Sequence, residues 1–564
     1  LEAAGTQRDS AWERLGAGPF DLVIVGGGVI GAGAARDAAR RGLRVAVIEA
    51  DDIASGTSSR SSKLIHGGLR YLEQGDLALV FESVNERGVM MKIAPHLVRP
   101  MGFLFPIYTG DKVKLGTLRL GLIVYEGLAL FRSPKLHTTL KPKDLAEDMP
   151  LLRQAGLRGG PLYWDCATDD ARITLETMLD AVACGATVLT HARVTRVLRD
   201  DSGHVCGVQV RDNLREREVS VRAGAVLNAT GPWSDKVRGT PERPSNQLRL
   251  TKGVHIVVPA ARLPIAHTIV CFHPTDKRLL FILPWGEQVY IGTTDTDYEG
   301  DPRDVAADRA DIDYLLAAVD KYFPTVQLRP EEVTCTWAGL RPLIRAEGVP
   351  PSQVSREHVI TVDPDGLVSI AGGKLTTHRR MGAEVVETCL EGLRRRGHPL
   401  PALEAVNTAA IPLPGAVGWP VNDDGTLMAK RVADAAPSLS AATCRYLADR
   451  YGGLALEIAA LAAADQRLQE PLCPGRPEIL AQVDWAVTRE LAATVTDVLE
   501  RRTQLYFRDV DQGLGAVERV AHRMADLLGW TAAERDASAE AYRREVAQSR
   551  RWRSEMEEDK PAAS

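Results

Sequence analysis

The sequence predicts an α/β protein: a Rossmann-like dinucleotide-binding domain, a β-sheet substrate domain interleaved with it, and a C-terminal all-helical domain. Three observations carry this expectation. Residues 21 to 50 read as strand, glycine turn, helix and strand, with DLVIV, GGGVIGAG, an Ala/Arg helix and RVAVIEA in order. Runs of β type return far downstream, at 187–198, 205–211, 218–228, 254–259, 279–283 and 288–292. A helical, Ala/Leu/Arg-rich stretch follows the turn-rich PLPGAVGWP at 412–420.

The elements follow in chain order. Residues 1–18 mix Glu2, Arg8, Asp9, Glu13 and Arg14 with small residues. They lack the apolar segment of a secretory signal and are expected to be a disordered leader. Gly26, Gly28 and Gly31 lie between strand and helix, where a bare backbone can turn tightly and approach a pyrophosphate at the positive helix N-terminus. Gly33 is expected to let that helix pack close to the sheet. Glu49 ends the next strand about twenty residues on, placed to accept hydrogen bonds from an adenosine ribose. The dinucleotide-binding domain should span 19–410, with a cap mainly about 90–165 and 245–345. The Pro/Gly break opens a helical domain at 411–546, and RRWRSEMEEDKPAAS falls in a frayed tail, 547–564.

The bulk composition excludes several classes. Lys and Arg number 69 against 74 Asp and Glu, a formal charge of -5, so no global field draws nucleic acid. Eight cysteines lie scattered without a CxxC pair or a zinc-spaced His cluster, which fits a reduced cytoplasmic compartment and no metal. The longest apolar window, Leu120 to Phe131, is interrupted by Glu126 and falls short of a spanning helix of roughly 18 residues.

A glycine fingerprint does not choose between NAD and FAD; three later segments do. TSSRSSKLIHGGLRYLE at 57–73 offers hydroxyls and backbone donors to the flavin side of a dinucleotide. NATGPW at 228–233 ends a β-run with small residues. AGGKLTTHR at 371–379 follows a strand and opens a second helix N-terminus. Together with KGVHIVVP, FILPW, IGTTDTDYEGDP and GLRPL, these segments resemble, in order from about residue 20 to 400, the membrane-associated FAD-dependent glycerol-3-phosphate dehydrogenase family. Beyond 412 the likeness, to the family's helical C-terminal domain, is looser.

The resemblance implies FAD, held by Gly26, Gly28, Gly31, Glu49, Thr57, Ser58, Ser62, Lys63, Leu64, His66, Gly67, Gly68, Val194, Ala229, Gly231, Trp233, Gly372, Gly373, Lys374, Leu375 and Thr376. It places Arg70, Arg341 and Lys374 around glycerol 3-phosphate, whose phosphate needs fixed cations. Tyr71 borders the same pocket. His255, whose imidazole titrates near neutrality, is the candidate base, with Arg341 stabilising the developing alkoxide. Where the family carries a tyrosine after GGKLTT, this chain has His378. The implied reaction yields dihydroxyacetone phosphate, with electrons passing to a membrane quinone. An oxidase of the same architecture, releasing hydrogen peroxide, is the alternative; its branch carries an inserted segment not seen here. Docking on the inner face of the cell membrane falls to residues 112–135, apolar with basic ends, for which a core or dimer-interface helix is an equal reading. A homodimer is the expected assembly.

Overall fold

The computed structural model describes residues 4–69, 76–130, 133–239, 245–345 and 357–558. Arg70 and Tyr71 lie outside the described residues. The first departure from expectation is at the start of the chain. Residues Ala4–Ala17 form a helix, α1, where a disordered leader was expected. Ala11 and Leu15, one turn apart, are buried with Phe20, Val23, Ala46 and Val221, and Arg8 pairs with Asp212 at 2.6 Å. These apolar contacts, with the ion pairs of Arg8 to Asp212 and of Asp9 to Arg215 and Arg217, order this helix only because a sheet lies beneath it, which local sequence does not reveal.

The βαβ unit forms as β1 (Phe20–Val25), α2 (Val29–Arg40) and β2 (Val45–Ile48). The first sheet runs in the order His358–Val362, Val368–Gly372, Glu218–Asn228, β1, β2, Thr187–Leu189. Along this path the edge pair His358–Val362 and Val368–Gly372 is antiparallel and the other neighbours are parallel, while Val205–Asp212 adds antiparallel to Glu218–Asn228 and pairs antiparallel with Ala192–Arg199. A parallel strand is buried on both faces, and β1 shows it: Leu22 and Ile24 enter the core beneath α2, while Val23 and Val25 enter the one beneath α1. Gly33 has a different partner from the one expected. A Cβ there would meet the His378 carbonyl at 2.8 Å, and one at Gly382 would meet the Gly33 backbone at 2.5 Å. The glycine pair therefore seats α2 on the helix His378–Arg395 and not on the sheet.

The second sheet takes strands from the chain around 99–167 and 248–344. Its order is Thr296–Asp297, Leu248–Pro259, Gln288–Gly292, Leu279–Trp285, Thr268–Phe272, Arg99–Leu104, Leu157–Ala167, Leu64–Ile65, with Cys335–Ile344 also pairing Leu248–Pro259. Leu64–Ile65 ties this sheet to the dinucleotide domain. After Thr426 the described chain is predominantly helical. The expected frayed tail is partly overturned: Ala532–Ser549 and Trp552–Glu558 are helices, and Trp552 is 1% exposed within the core of the second sheet. One buried indole anchors an otherwise polar segment.

Candidate active site

A cavity of about 690 Å³ opens where the first sheet meets the second. Its walls include Gly26 and Gly28 at the start of α2, Glu49 after β2, Thr57 and Ser58, Val194, Ala229, Gly231 and Trp233, and Gly372, Gly373, Lys374 and Leu375. Segments hundreds of residues apart thus converge, as the ordered motifs implied. Gly31 lies under the turn: a Cβ there would sit 2.0 Å from the Gly26 carbonyl, so only glycine lets α2 begin so close to β1. Ser58 Oγ accepts from Val29 N at 2.9 Å, fixing the hydroxyl segment to the helix N-terminus. Glu49 accepts from Gly27 N at 2.6 Å and Asp51 N at 2.8 Å. Burial nonetheless pushes its carboxyl up to about 7, so these two amides do not fully offset its desolvation.

Ser62, Lys63, Leu64, His66, Gly67, Gly68 and Thr376 are not among the cavity-lining residues, and several have clear inward partners. Lys63 Nζ is buried, 2.7 Å from Asp170 and 2.9 Å from the Ser59 carbonyl, so it braces the segment from behind. Leu64 is buried in its short strand. Thr376 Oγ1 bridges His66 N and the His66 carbonyl, both at 3.2 Å, joining the two glycine-bearing segments. Gly67 N donates to Tyr125 Oη at 2.9 Å.

Of the substrate candidates, His255 and Arg341 lie on one face of the second sheet. Antiparallel pairing sets His255 opposite both Gly292 and Trp337, and Thr251 opposite Arg341. With a period of two, 255, 253, 337, 339 and 341 share a face. That face meets the hydroxyl segment: Ser62 Oγ lies 2.9 Å from His255 Nε2, Trp337 Nε1 donates to the Ser61 carbonyl, and Tyr290 Oη donates to the Ser62 carbonyl. His255 stacks on Trp337 with centroids 4.8 Å apart and rings 12° from parallel. Its Nδ1 is buried with no hydrogen-bond partner among the described residues. Burial, then Arg341 and Lys63, hold the imidazole well below its ordinary pKa, so it is neutral at pH 7.

Arg341 is oriented by an acid. Its Nη1 lies 3.0 Å from Asp295 Oδ1, whose other oxygen lies 3.0 Å from Arg278 Nη2; Thr293 Oγ1 and the Thr294 carbonyl accept from Nη2. Two arginines on one carboxylate leave a net positive charge. Neither His255 nor Arg341 lines the cavity: His255 meets Ser62, the chain neighbour of the lining residue Ser61, and Arg341 stands beside the lining residue Pro342. Lys374 does line it, with Nζ 3.3 Å from Ser83 Oγ. His378 is buried at the start of its helix, its Nδ1 2.7 Å from the Leu375 carbonyl and its pKa pushed by burial down to about 4. Sequence reasoning missed Asp295, which sits inside the quoted IGTTDTD, and the cavity-lining Arg193, Arg196 and Lys236. A lone cation in a strand or a short helix carries no signal of its own; only the folded wall gathers them.

A glycine turn at a helix N-terminus, an acid just after the next strand and a cavity where two sheets meet define a dinucleotide-dependent oxidoreductase. The family model described as FAD dependent oxidoreductase matches residues 21–383, and that for the C-terminal domain of alpha-glycerophosphate oxidase matches 406–535. An aerobic glycerol-3-phosphate dehydrogenase from Staphylococcus saprophyticus is 38% identical, covering 92% of each chain, and glycerol-3-phosphate dehydrogenase 2 from Mycobacterium bovis is 39% identical over 95% of this chain and 89% of its own. The crystal structure of the glycerol-3-phosphate dehydrogenase from Bacillus halodurans, complexed with FAD, superposes with a TM-score of 0.80 at 32% identity, over 97% of this chain and 98% of that one. The chain belongs to the FAD-dependent glycerol-3-phosphate dehydrogenase family, and its cofactor is FAD. The cavity fits that group. A Cβ at Gly231 would meet nothing within 4 Å, so the wall there is open to a ligand, and Glu49 and the start of α2 supply an acceptor and a positive pole.

Proposed function

We propose that this protein oxidises sn-glycerol 3-phosphate to dihydroxyacetone phosphate and passes the electrons to a membrane quinone. The observation that carries the reading is the pairing of a neutral, buried imidazole, His255, with a carboxylate-steered guanidinium, Arg341, beside the FAD cavity. When bound, FAD supplies the two-electron sink that takes the hydride from C2. The chain supplies the rest. Arg341 and Lys374 hold the phosphate, joined by Arg70 and Tyr71, which lie outside the described residues. His255 takes the hydroxyl proton, and its contact with Ser62 Oγ orients the ring for that task. Arg341 then also faces the developing alkoxide. The test is anaerobic: glycerol 3-phosphate should bleach the flavin, and a soluble quinone should restore its colour faster than air does. An unbleached flavin would remove the substrate reading, and faster reoxidation by air would favour the peroxide-forming oxidase.

Peripheral docking on the inner face of the cell membrane belongs to the same proposal. Its support is the helix Leu115–Leu128, on which Leu120, Ile123 and Val124 are exposed at 63%, 51% and 41%, next to exposed Leu77 and Phe81 of the helix Leu77–Ile93. Exposed Lys112, Lys114 and Arg119 flank this apolar face, as an anionic leaflet would require. Among the described residues no helix is long and apolar enough to cross a membrane.

A further inference from the structure

The loop that follows β2 carries much of one cavity wall: Asp51, Ser55, Gly56, Thr57 and Ser58 all line it. It is held to the rest of the dinucleotide domain and to the second sheet by several contacts: Asp51 N reaches Glu49 at 2.8 Å, Ser58 Oγ accepts from Val29 N at 2.9 Å, Thr57 Oγ1 donates to the Leu340 carbonyl at 2.7 Å, and Ile53 and Ala54 are buried. Ala54 N donates to the Gly27 carbonyl at 3.1 Å and Ser55 N to the Asp52 carbonyl at 3.0 Å, while Ala54 takes a left-handed backbone, φ 65°, which a residue with a Cβ adopts only when its surroundings impose it.

A further fastening comes from the far end of the chain. Asp52 is fully buried, and its carboxylate receives two guanidinium groups from the C-terminal helical region: Arg502 Nη1 and Nη2 at 2.6 and 2.8 Å, and Arg501 Nε at 2.5 Å. Both arginines sit on the wholly buried turn Asp497–Arg502, widened so that Thr503 N bonds the Val498 carbonyl, five residues back. The turn is held in its own right: Arg501 also reaches Asp497 at 2.9 Å and Glu500 at 2.5 Å, and Arg502 Nη2 donates to the Glu490 carbonyl at 2.7 Å. A second tie runs beside the first. Asp497 Oδ2 lies 2.9 Å from His191 Nε2, and His191 N donates to the Asp51 carbonyl at 2.6 Å.

We propose that Arg501 and Arg502 are positioning residues for FAD: through Asp52 they hold the 50–58 loop in its FAD-binding shape, so that cofactor retention is a task of the C-terminal helical region. The physical ground is the kind of contact used. Joining two domains needs apolar area, which this interface has elsewhere; a buried ion cluster stabilises little beyond what packed hydrocarbon would. What a forked, bidentate guanidinium adds is a fixed position and orientation for the carboxylate it grips, and here that carboxylate stands between the cavity-lining residues Asp51 and Ser55 in the chain.

The test measures FAD release from the full-length holoenzyme on dilution, by flavin fluorescence, alongside thermal unfolding. Arg502→Met should speed release at least tenfold, and excess FAD should restore turnover with kcat and substrate KM unchanged. Arg502→Lys, a point charge without the fork, should fall between. Ile458→Ala, in the separate core of the C-terminal helices, serves as the comparison: it should lower the unfolding midpoint without speeding release. Should Arg502→Met fail to fold, Asp52→Asn keeps the volume and removes the charge, and should release FAD faster by the same criterion. Release within twofold of the parent in the variant that folds, or acceleration no greater than that of Ile458→Ala, overturns the proposal.

Discussion

His255 and Arg341 each lie flat because a glycine faces them. A Cβ at Gly292 would come within 2.0 Å of His255 Cδ2 and 2.6 Å of Nε2, and one at Gly253 within 2.4 Å of Arg341 Nη2. Gly292→Ala must therefore swing the ring away from Ser62. A loss of about 100-fold in kcat is expected, near 2.7 kcal/mol of transition-state stabilisation, with FAD content intact. Arg341→Ala should likewise lose most turnover and keep FAD; normal turnover in either variant would remove the residue from the site. The pH profile follows from the same geometry. Because burial, then Arg341 and Lys63, lower the His255 pKa, the acid limb of kcat/KM should lie well below 6.5, and Arg341→Gln, by removing one of the opposing charges, should shift it upward. An acid limb that stays in place in that variant would separate the histidine from the limb. Glu49 gives the opposite kind of control. With Glu49 proposed as the acceptor for the FAD ribose, its pKa raised to about 7 predicts that FAD favours the deprotonated form and that release quickens as pH falls below about 7. In Glu49→Gln that dependence should vanish, as stopped-flow fluorescence would report.

At the scale of elements, the helix Leu115–Leu128 has two unlike faces. Inward, Tyr125 bonds Asp165 and Gly67 N, and so touches the HGG segment of the site. Outward, its apolar side chains would each gain about 1.5–3 kcal/mol if fully buried, enough in combination for reversible attachment to lipid. Leu120→Glu with Ile123→Glu should abolish co-sedimentation with anionic vesicles and slow reduction of a membrane quinone, while turnover with a soluble dye is kept. Undiminished sedimentation would refute the docking surface. For α2 the element-scale change is Gly28→Val: the helix N-terminus stays, but a Cβ there already meets Ser58 Oγ at 3.2 Å, and the larger side chain fills the space where a pyrophosphate would approach, so the protein should purify without its yellow colour.

Across the whole molecule, legibility followed the range of the forces. The βαβ unit was readable because its periodicities and glycines act within thirty residues, and the strand runs at 205–211, 218–228 and 288–292 formed almost as written. The cofactor segments were readable because their resemblance is ordered along the chain. Helix α1 and the Trp552 anchor were not, because each is polar by itself and becomes ordered only against a surface made by other parts of the chain. The side-chain partner of Lys63 was not legible for a similar reason: only the buried Asp170 shows that its ammonium turns inward.

The sequence by itself determined the dinucleotide fold, the family and the cofactor, because these rest on local backbone geometry and on motifs whose order survives without coordinates. Only the tertiary structure decided which face of a strand His255 and Arg341 occupy, that Asp295 and Arg278 share the charge behind them, and that two arginines near residue 500 grip the loop after residue 50. Those are contacts between groups far apart in the chain, whose energies depend on distance, orientation and exclusion of water, and no linear pattern records any of the three.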